Sequence, residues 1–239
     1  MPAAPAPTLP EVAVVIPAFN EERSLPLVLA DIPRPPVGRV VVADNNSIDR
    51  TAQVGRRGGA EVVPAPRQGY GSACLAALAH LRDTGPPAVV VFLDADYSDH
   101  PEELPALIAP IVGHEADLVI GSRTLGHRER GALLPQARFG NVLACWMIRV
   151  LYRHRTTDLG PFRAISWDAL ERLGMRDPDF GWTAEMQVKA LRHGLRVVDV
   201  PVSYRRRVGV SKITGTVSGT LRAGWKIVTT ILRYSIGRA

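Results

Sequence analysis

Asp94-Ala95-Asp96 is where this sequence is best equipped to do chemistry. Two carboxylates one residue apart repel, and each raises the other's pKa unless a cation lies between them. Their oxygens are hard ligands suited to Mg2+ or Mn2+, which bind through one or two carboxylates and complete their shells with substrate phosphates. The pair therefore reads as a metal–diphosphate site. The competing reading is a polar turn leaving a strand, with Asp99 capping a helix that starts at Pro101-Glu102-Glu103.

The elements that must position the pair follow from apolar patterning. Residues 89–93 are a continuous, β-branched run too short for an ordinary helix, the pattern of a strand buried on both faces of a parallel sheet. Ligands of open α/β sheets bind beyond the carboxyl ends of such strands, and the acidic pair stands there. Residues 11–18, 39–43, 60–63 and 117–120 read as further strands. Between them, Leu25, Val28, Leu29 and Ile32 have helical spacing, and helices are predicted over 50–57, from Gln68-Gly69-Tyr70-Gly71-Ser72 to about Arg82, and over 102–112. Strand–helix alternation through residues 11–122 predicts a doubly wound, parallel α/β sheet. Asn20-Glu21, Asp44-Asn45 and Asp94–Asp96 each follow a strand, and their convergence on one sheet edge would form a nucleotide pocket.

Beyond residue 122 the alternation stops. Residues 128–135 read as a lid loop with Gly126 and Gly131 as hinges, and 139–152 as a helix. Residues 158–163 read as a turn cluster, 182–193 as a helix and 197–202 as a strand. In residues 216–236, Leu221, Trp225, Val228 and Leu232 recur at helical spacing with Arg222, Lys226 and Arg233 on a separate face. That pattern suits either an interfacial membrane helix or a helix packed on the domain with a wet basic side.

The chain has 239 residues, 46% hydrophobic and 22% charged, enough for a substantial core in one large domain. Residues 1–10, rich in Pro and Ala, read as a disordered leader and not a signal peptide. The longest helix-like apolar run, 142–151, is broken by Arg149 and falls short of the about 20 residues that span a bilayer. Cys74 and Cys145 sit in apolar surroundings, which fits a reducing cytoplasm, and no His/Cys spacing suggests zinc. The net charge is +6, and the excess crowds the C-terminal end from Arg205-Arg206-Arg207 onward. An anionic partner is expected there: a diphosphate, a lipid phosphate or a membrane surface. Nucleic acid is not expected, because no recognised binding motif accompanies the charge. The oligomeric state is left open.

Ile16-Pro-Ala-Phe-Asn-Glu21, Asp44-Asn-Asn-Ser-Ile-Asp49, Arg67-Gln-Gly-Tyr-Gly71, Asp94-Ala-Asp96, Gly121-Ser-Arg123, Asp158-Leu-Gly-Pro-Phe-Arg163 and Arg206-Val-Gly-Val-Ser-Lys212 occur in this order. Together they resemble the motifs of glycosyltransferase family 2, GT-A fold, in the branch of dolichol- and polyprenol-phosphate sugar synthases. The resemblance spans roughly residues 11–214. It implies a GT-A domain with a nucleotide-binding half (11–122) and an acceptor half (123–214); the basic amphipathic helix that follows (215–239) rests on the residue pattern alone. It implies a nucleotide-sugar donor held by Pro17, Ala18, Asn20, Glu21, Asp44, Asn46, Gln68, Gly69 and Ala95. Asp94 and Asp96 would hold Mg2+ or Mn2+, Arg206 and Lys212 would clamp the diphosphate, and Arg123 and Arg138 would hold an acceptor phosphate.

Two positions depart from the family pattern. A glutamine of the metal shell commonly stands where this chain has Ser98, a weaker ligand. The catalytic-base aspartate of polysaccharide-forming members falls on Thr183. A hydroxyl acceptor needs a general base, whereas a phosphate monoester is already ionised, so a polyprenyl or dolichyl phosphate acceptor is favoured. Asp158 and Glu185 are the residues to test should a base exist. The enzyme would then be an inverting hexosyltransferase, cytoplasmic or peripheral at the inner membrane face. The alternatives are transfer to a small soluble hydroxyl acceptor, a sugar-phosphate nucleotidyltransferase, or a non-catalytic nucleotide-sugar binder. The nucleotidyltransferase reading is weakened because Pro17-Ala-Phe-Asn-Glu21 stands where its Gly-rich loop would be.

Overall fold

The computed structural model describes residues 11–209 and 217–236, with side chains of the last helix described from 222 to 235. In chain order the strands are β1 (Val12–Ala18), β2 (Val37–Asp44), β3 (Glu61–Pro64), β4 (Val89–Phe92), β5 (Leu118–Ser122), β6 (Arg163–Ser166) and β7 (Val197–Pro201). The helices are α1 (Leu25–Asp31), α2 (Thr51–Arg57), α3 (Tyr70–Thr84), α4 (Leu104–Val112), α5 (Pro135–Tyr152), α6 (Trp167–Leu173), α7 (Trp182–Arg192) and α8 (Val217–Ile236).

One seven-stranded sheet runs in the order β3-β2-β1-β4-β6-β5-β7. Only β6 is antiparallel to its neighbours, β4 and β5. Side-chain alternation sends Val12, Val14 and Ile16 of β1 to one face, against Leu25 and Val28 of α1 and Leu104 and Leu107 of α4. Ala13 and Val15 go to the other, against Ala73, Cys74 and Ala77 of α3 and Trp182 of α7. Both faces are therefore covered, which is why the central strands β1 and β4 are apolar throughout. A third cluster, formed by Ala144, Met147 and Ile148 of α5, Ala184 and Val188 of α7 and Ile231 of α8, fastens the C-terminal helix to the domain.

Three features differ from the expectations. The 158–163 turn leads into β6 and α6, which the sequence pattern does not announce; β6 is only four residues long and begins with a buried arginine. Asp99 does not cap a helix. A single 3-10 turn (Pro101–Glu103) precedes α4, and His100 is its N-terminal neighbour. Gly126 is no open hinge, because a Cβ there would lie 2.1 Å from the Val202 carbonyl oxygen. The expected lid is strapped to the segment after β7: Glu129 N–H donates to Tyr204 O (2.9 Å) and Arg206 Nε to Arg130 O (2.9 Å). Among the described residues, no helix is long and apolar enough to cross a membrane.

Candidate active site

The chain winds outward from β1 through β2 to β3, then returns to place β4 on the other side of β1. The crevice beyond the carboxyl ends of β1 and β4 is thus a topological switch point, the expected ligand position in such a sheet. A cavity of about 420 Å3 opens there. Pro17, Ala18 and Glu21 line it from the end of β1, and Asp94, Ala95 and Asp96 from the end of β4. Gln68, Gly69 and Tyr70 close it from the start of α3.

Glycine at 69 and 71 has a packing cause. Cβ atoms would lie 2.2 Å from Pro178 O at position 69 and 1.9 Å from Asp177 O at position 71. The close approach lets Ser72 N–H donate to Pro178 O at 2.8 Å. It also brings Asp179 and Phe180 to the cavity. Asn45, buried after β2, ties the rim together. Its amide donates to Ala65 O (2.8 Å) and Arg67 O (2.7 Å), and its Oδ1 accepts from Gly69 N–H (2.9 Å). Asn45 lines the cavity, whereas Asp44, Asn20 and Asn46 do not. Those three shape the loops: Asp44 Oδ1 accepts from Ser47 N–H (3.2 Å), Asn20 Oδ1 from Ile48 N–H (2.8 Å), and Asn46 donates to Pro66 O (2.6 Å). Asn20 and Asn46 hold left-handed φ values of 55° and 64°, which asparagine tolerates better than most residues.

The acidic floor is electrostatically unsettled. Asp94 Oδ1 is buried without a hydrogen-bond partner. Burial, followed by the neighbouring charge of Asp96, pushes its carboxyl up to about 7. Tyr70's hydroxyl is likewise buried without a hydrogen-bond partner, although it perturbs the ionisation of Asp94. Asp99 lies behind the pair with both carboxylate oxygens buried and unpartnered. Burial and the charges of Asp94 and Asp96 raise it well above the usual carboxylate range. Asp96 is the one member with partners: its Oδ1 accepts from Ser98 N–H (2.9 Å) and Ser98 Oγ–H (2.6 Å), and its Oδ2 pairs with the Arg207 guanidinium. Ser98 thus spends its hydroxyl orienting Asp96.

The basic wall differs by one residue from the expected one. Arg205 and Arg207 point one way from the extended chain and Arg206 the other. Arg205 stacks 3.4 Å over Tyr97. Arg207 enters the cavity with Arg222 of α8. Arg206 is exposed, its backbone N–H bonded to Glu129 and its side chain to Arg130 O. Lys212 lies outside the described residues.

Arg123 and Asp158 form a separate, satisfied unit. Arg123 donates through Nε (2.9 Å) and Nη2 (2.6 Å) to the two carboxylate oxygens, its backbone N–H adds a third bond (2.8 Å), and its guanidinium lies 5.1 Å from the Tyr204 ring. Burial alone would raise the Asp158 pKa, but Arg123 outweighs it and holds the carboxyl below the usual range. A carboxylate so clamped, with no exposure, is poorly suited to accept a proton. Glu185 is also buried, and it lines a different cavity, of about 750 Å3. It accepts from Asp177 N–H (2.6 Å), Tyr234 Oη (2.9 Å) and Lys189 Nζ (2.7 Å), and so holds the 176–178 loop between α7 and α8. Arg138 is exposed in the first turn of α5, away from the donor cavity.

Among the described residues, no three His, Cys, Asp or Glu side chains are arranged to cage a metal ion. An orphaned Asp94 oxygen beside Asp96 instead fits a hard cation held by two carboxylates and completed by a substrate's phosphates.

An acidic pair and two arginines thus line one cavity at the switch point of an α/β sheet, a charge pattern that suits a phosphate-bearing ligand and a hard cation. The glycosyl transferase family 2 model matches residues 13–172, and the chain belongs to that family and is a glycosyltransferase. An uncharacterized glycosyltransferase of Mycobacterium tuberculosis is 42% identical over 223 residues, covering 91% of this chain and 97% of the relative. The undecaprenyl-phosphate mannosyltransferase of Micrococcus luteus is 32% identical over 229 residues, covering 87% and 89%. Among solved structures, glucosyl-3-phosphoglycerate synthase from Mycobacterium tuberculosis superposes with a TM-score of 0.77 at 22% identity, covering 96% of this chain and 81% of that one. The GT-A architecture is thereby shown.

Proposed function

We propose that this glycosyltransferase moves a hexose, with inversion, from a UDP- or GDP-linked donor to a polyprenyl phosphate, with Mg2+ or Mn2+ bound at Asp94 and Asp96. The observation that carries the reading is the buried, unpartnered oxygen of Asp94 beside Asp96, in a cavity that Arg207, paired with Asp96, and Arg222 also line. The relative from Micrococcus luteus bears an undecaprenyl-phosphate mannosyltransferase name, and the glucosyl-3-phosphoglycerate synthase was crystallised with Mn2+ and UDP; both support it.

In this reaction an acceptor phosphate oxygen bonds to the anomeric carbon as the C1–O bond to the donor breaks, and the bonding electron pair leaves with the nucleoside diphosphate. The bound cation would neutralise charge developing on that leaving group. Arg207, beside Asp96, and Arg222 supply further positive charge to the cavity, and Ser98 orients Asp96. Gln68, Gly69 and Asn45 fix the rim over the nucleotide. Arg123, held rigid by Asp158, is preorganised for the acceptor's phosphate. The phosphate acceptor is itself the nucleophile and needs no base. That agrees with Thr183 at the base position and with the burial of Asp158 and Glu185.

A donor screen tests this: UDP- and GDP-sugars, with Mn2+, Mg2+ or chelator, and with polyprenyl phosphate, soluble alcohols or neither. Turnover requiring both a divalent cation and the lipid phosphate is expected. Turnover on soluble alcohols with the lipid phosphate inert would overturn the acceptor assignment.

A further inference from the structure

We infer that the outward face of α5, continued by the outer edge of α8, seats the enzyme on an anionic lipid bilayer. The inference deepens the lipid-phosphate reading and rests on it for its purpose; its location rests on the exposed side chains. α5 has filled its inner side, with Ala144, Met147 and Ile148 buried. It nevertheless carries a second apolar stripe, Phe139, Val142, Trp146 and Val150, exposed by 72%, 66%, 60% and 56%. Their spacing of three, four and four residues puts them on one side of the helix. Contiguous exposed apolar surface of this kind marks an interaction site.

Charge selects the occupant. From residue 131 to 157 the chain has no Asp or Glu but contains Arg138, Arg149, Arg153 and Arg155. α8, packed against α5 through Ile231, adds Trp225, 73% exposed, and no acidic residue occurs after Asp199. A second copy docking on this face would bring together two α5 segments that carry arginines and no carboxylate. An anionic bilayer instead offers phosphate charge at the height of the arginines and an apolar layer beneath it for the aromatic side chains. A cavity of about 400 Å3 opens beside Trp146, with Arg149 and Arg155 among its lining residues, the chemistry a phospholipid headgroup would meet.

The face is coupled to the site. Asn141 of α5 accepts from Leu159 N–H (3.0 Å) and donates to Thr157 O (3.2 Å), gripping both neighbours of Asp158, the partner of Arg123. A bilayer against α5 would therefore hold the acceptor arginine at a set distance from the membrane surface.

The test is vesicle flotation of the full chain with phosphatidylglycerol/phosphatidylcholine or phosphatidylcholine vesicles, all lacking polyprenyl phosphate. Wild type should float with the anionic vesicles only. Combined Phe139→Ser, Val142→Ser and Trp146→Ser should weaken binding by at least about tenfold. Combined Arg149→Glu and Arg153→Glu should weaken it by at least about fivefold per residue. Both variants should keep the wild-type melting temperature, the exchanged side chains being exposed, and wild-type turnover on a short, water-soluble prenyl phosphate. Wild type that ignores anionic vesicles, folded variants that bind like wild type, or a wild-type dimer dissolved by the serine variant would each overturn the inference. If no form uses a prenyl phosphate while vesicle binding follows the expected pattern, the acceptor reading fails and the surface assignment stands.

Discussion

The Asp94–Asp96–Asp99 cluster and the Asp158–Arg123 pair are both buried carboxylate systems of one site region, yet they have opposite electrostatics. In the first, Asp94 and Asp99 keep unpartnered oxygens and are pushed toward their neutral forms. In the second, three donors from Arg123 satisfy the carboxylate and keep it charged. An unsatisfied buried polar group is a standing destabilisation, kept where something is to bind. A satisfied pair is a positioning device.

The sharpest way to break this contrast is Asp158→Ala, which strands a buried guanidinium. A loss of about 3–5 kcal/mol in urea unfolding is expected. The double variant Asp158→Leu with Arg123→Met should regain most of it while remaining inactive. Asp94→Asn should behave in the opposite sense. Transfer should fall by about 10²–10³-fold in kcat/KM. The melting temperature in chelator should stay at or above wild type, because a repelled charge is removed; a strong destabilisation would put Asp94 in the same class as Asp158.

The basic wall gives a smaller effect. Arg207→Ala should lower kcat/KM by about tenfold or more through the lost diphosphate contact. Arg206→Ala should stay within about twofold, since that side chain serves only the Arg130 carbonyl and the backbone bond to Glu129 is kept. Equal losses would mean that the arginine phase differs in the working enzyme. The smallest effect is in pH dependence. Asp94's folded-state pKa, about 7, lies above its ordinary 3.8, so the folded state holds the extra proton. In chelator, that contribution to stability is complete below about pH 4 and is lost as the pH rises through 7. Asp94→Asn should remove this slope from a melting-temperature series over that window.

Much of the fold could be read from local pattern. The apolar runs, the strand–helix alternation and the motif order survive because the central strands β1 and β4 are covered on both faces, whereas the edge strands β3 and β7 are only partly buried. β6 escaped because four residues headed by arginine carry no strand periodicity; that arginine is buried by donating to Gly160 O and Thr183 O. Of the residues that the motifs point to, Pro17, Ala18, Glu21, Gln68, Gly69 and Asp94–Asp96 line one cavity at the sheet edge. The motif resemblance points to Asn46, but Asn45 lines the cavity; two adjacent asparagines give no local sign of which one turns inward. Phe180 and Arg222 come from distant segments without a motif of their own.

By itself the sequence determined residue chemistry and covalent spacing: an acidic pair after a β-branched run, glycines at 69 and 71, and a run of three arginines. Only the tertiary structure decided which of those arginines faces the acids. Tyr204 bridges Asp99 and Val208 N–H donates to Asp96 O at 2.9 Å, and these long-range pairings set the phase of the extended segment between them. In an extended chain a shift of one residue reverses every side chain, so which arginine meets the acidic pair depends on a pairing register that only the folded chain creates.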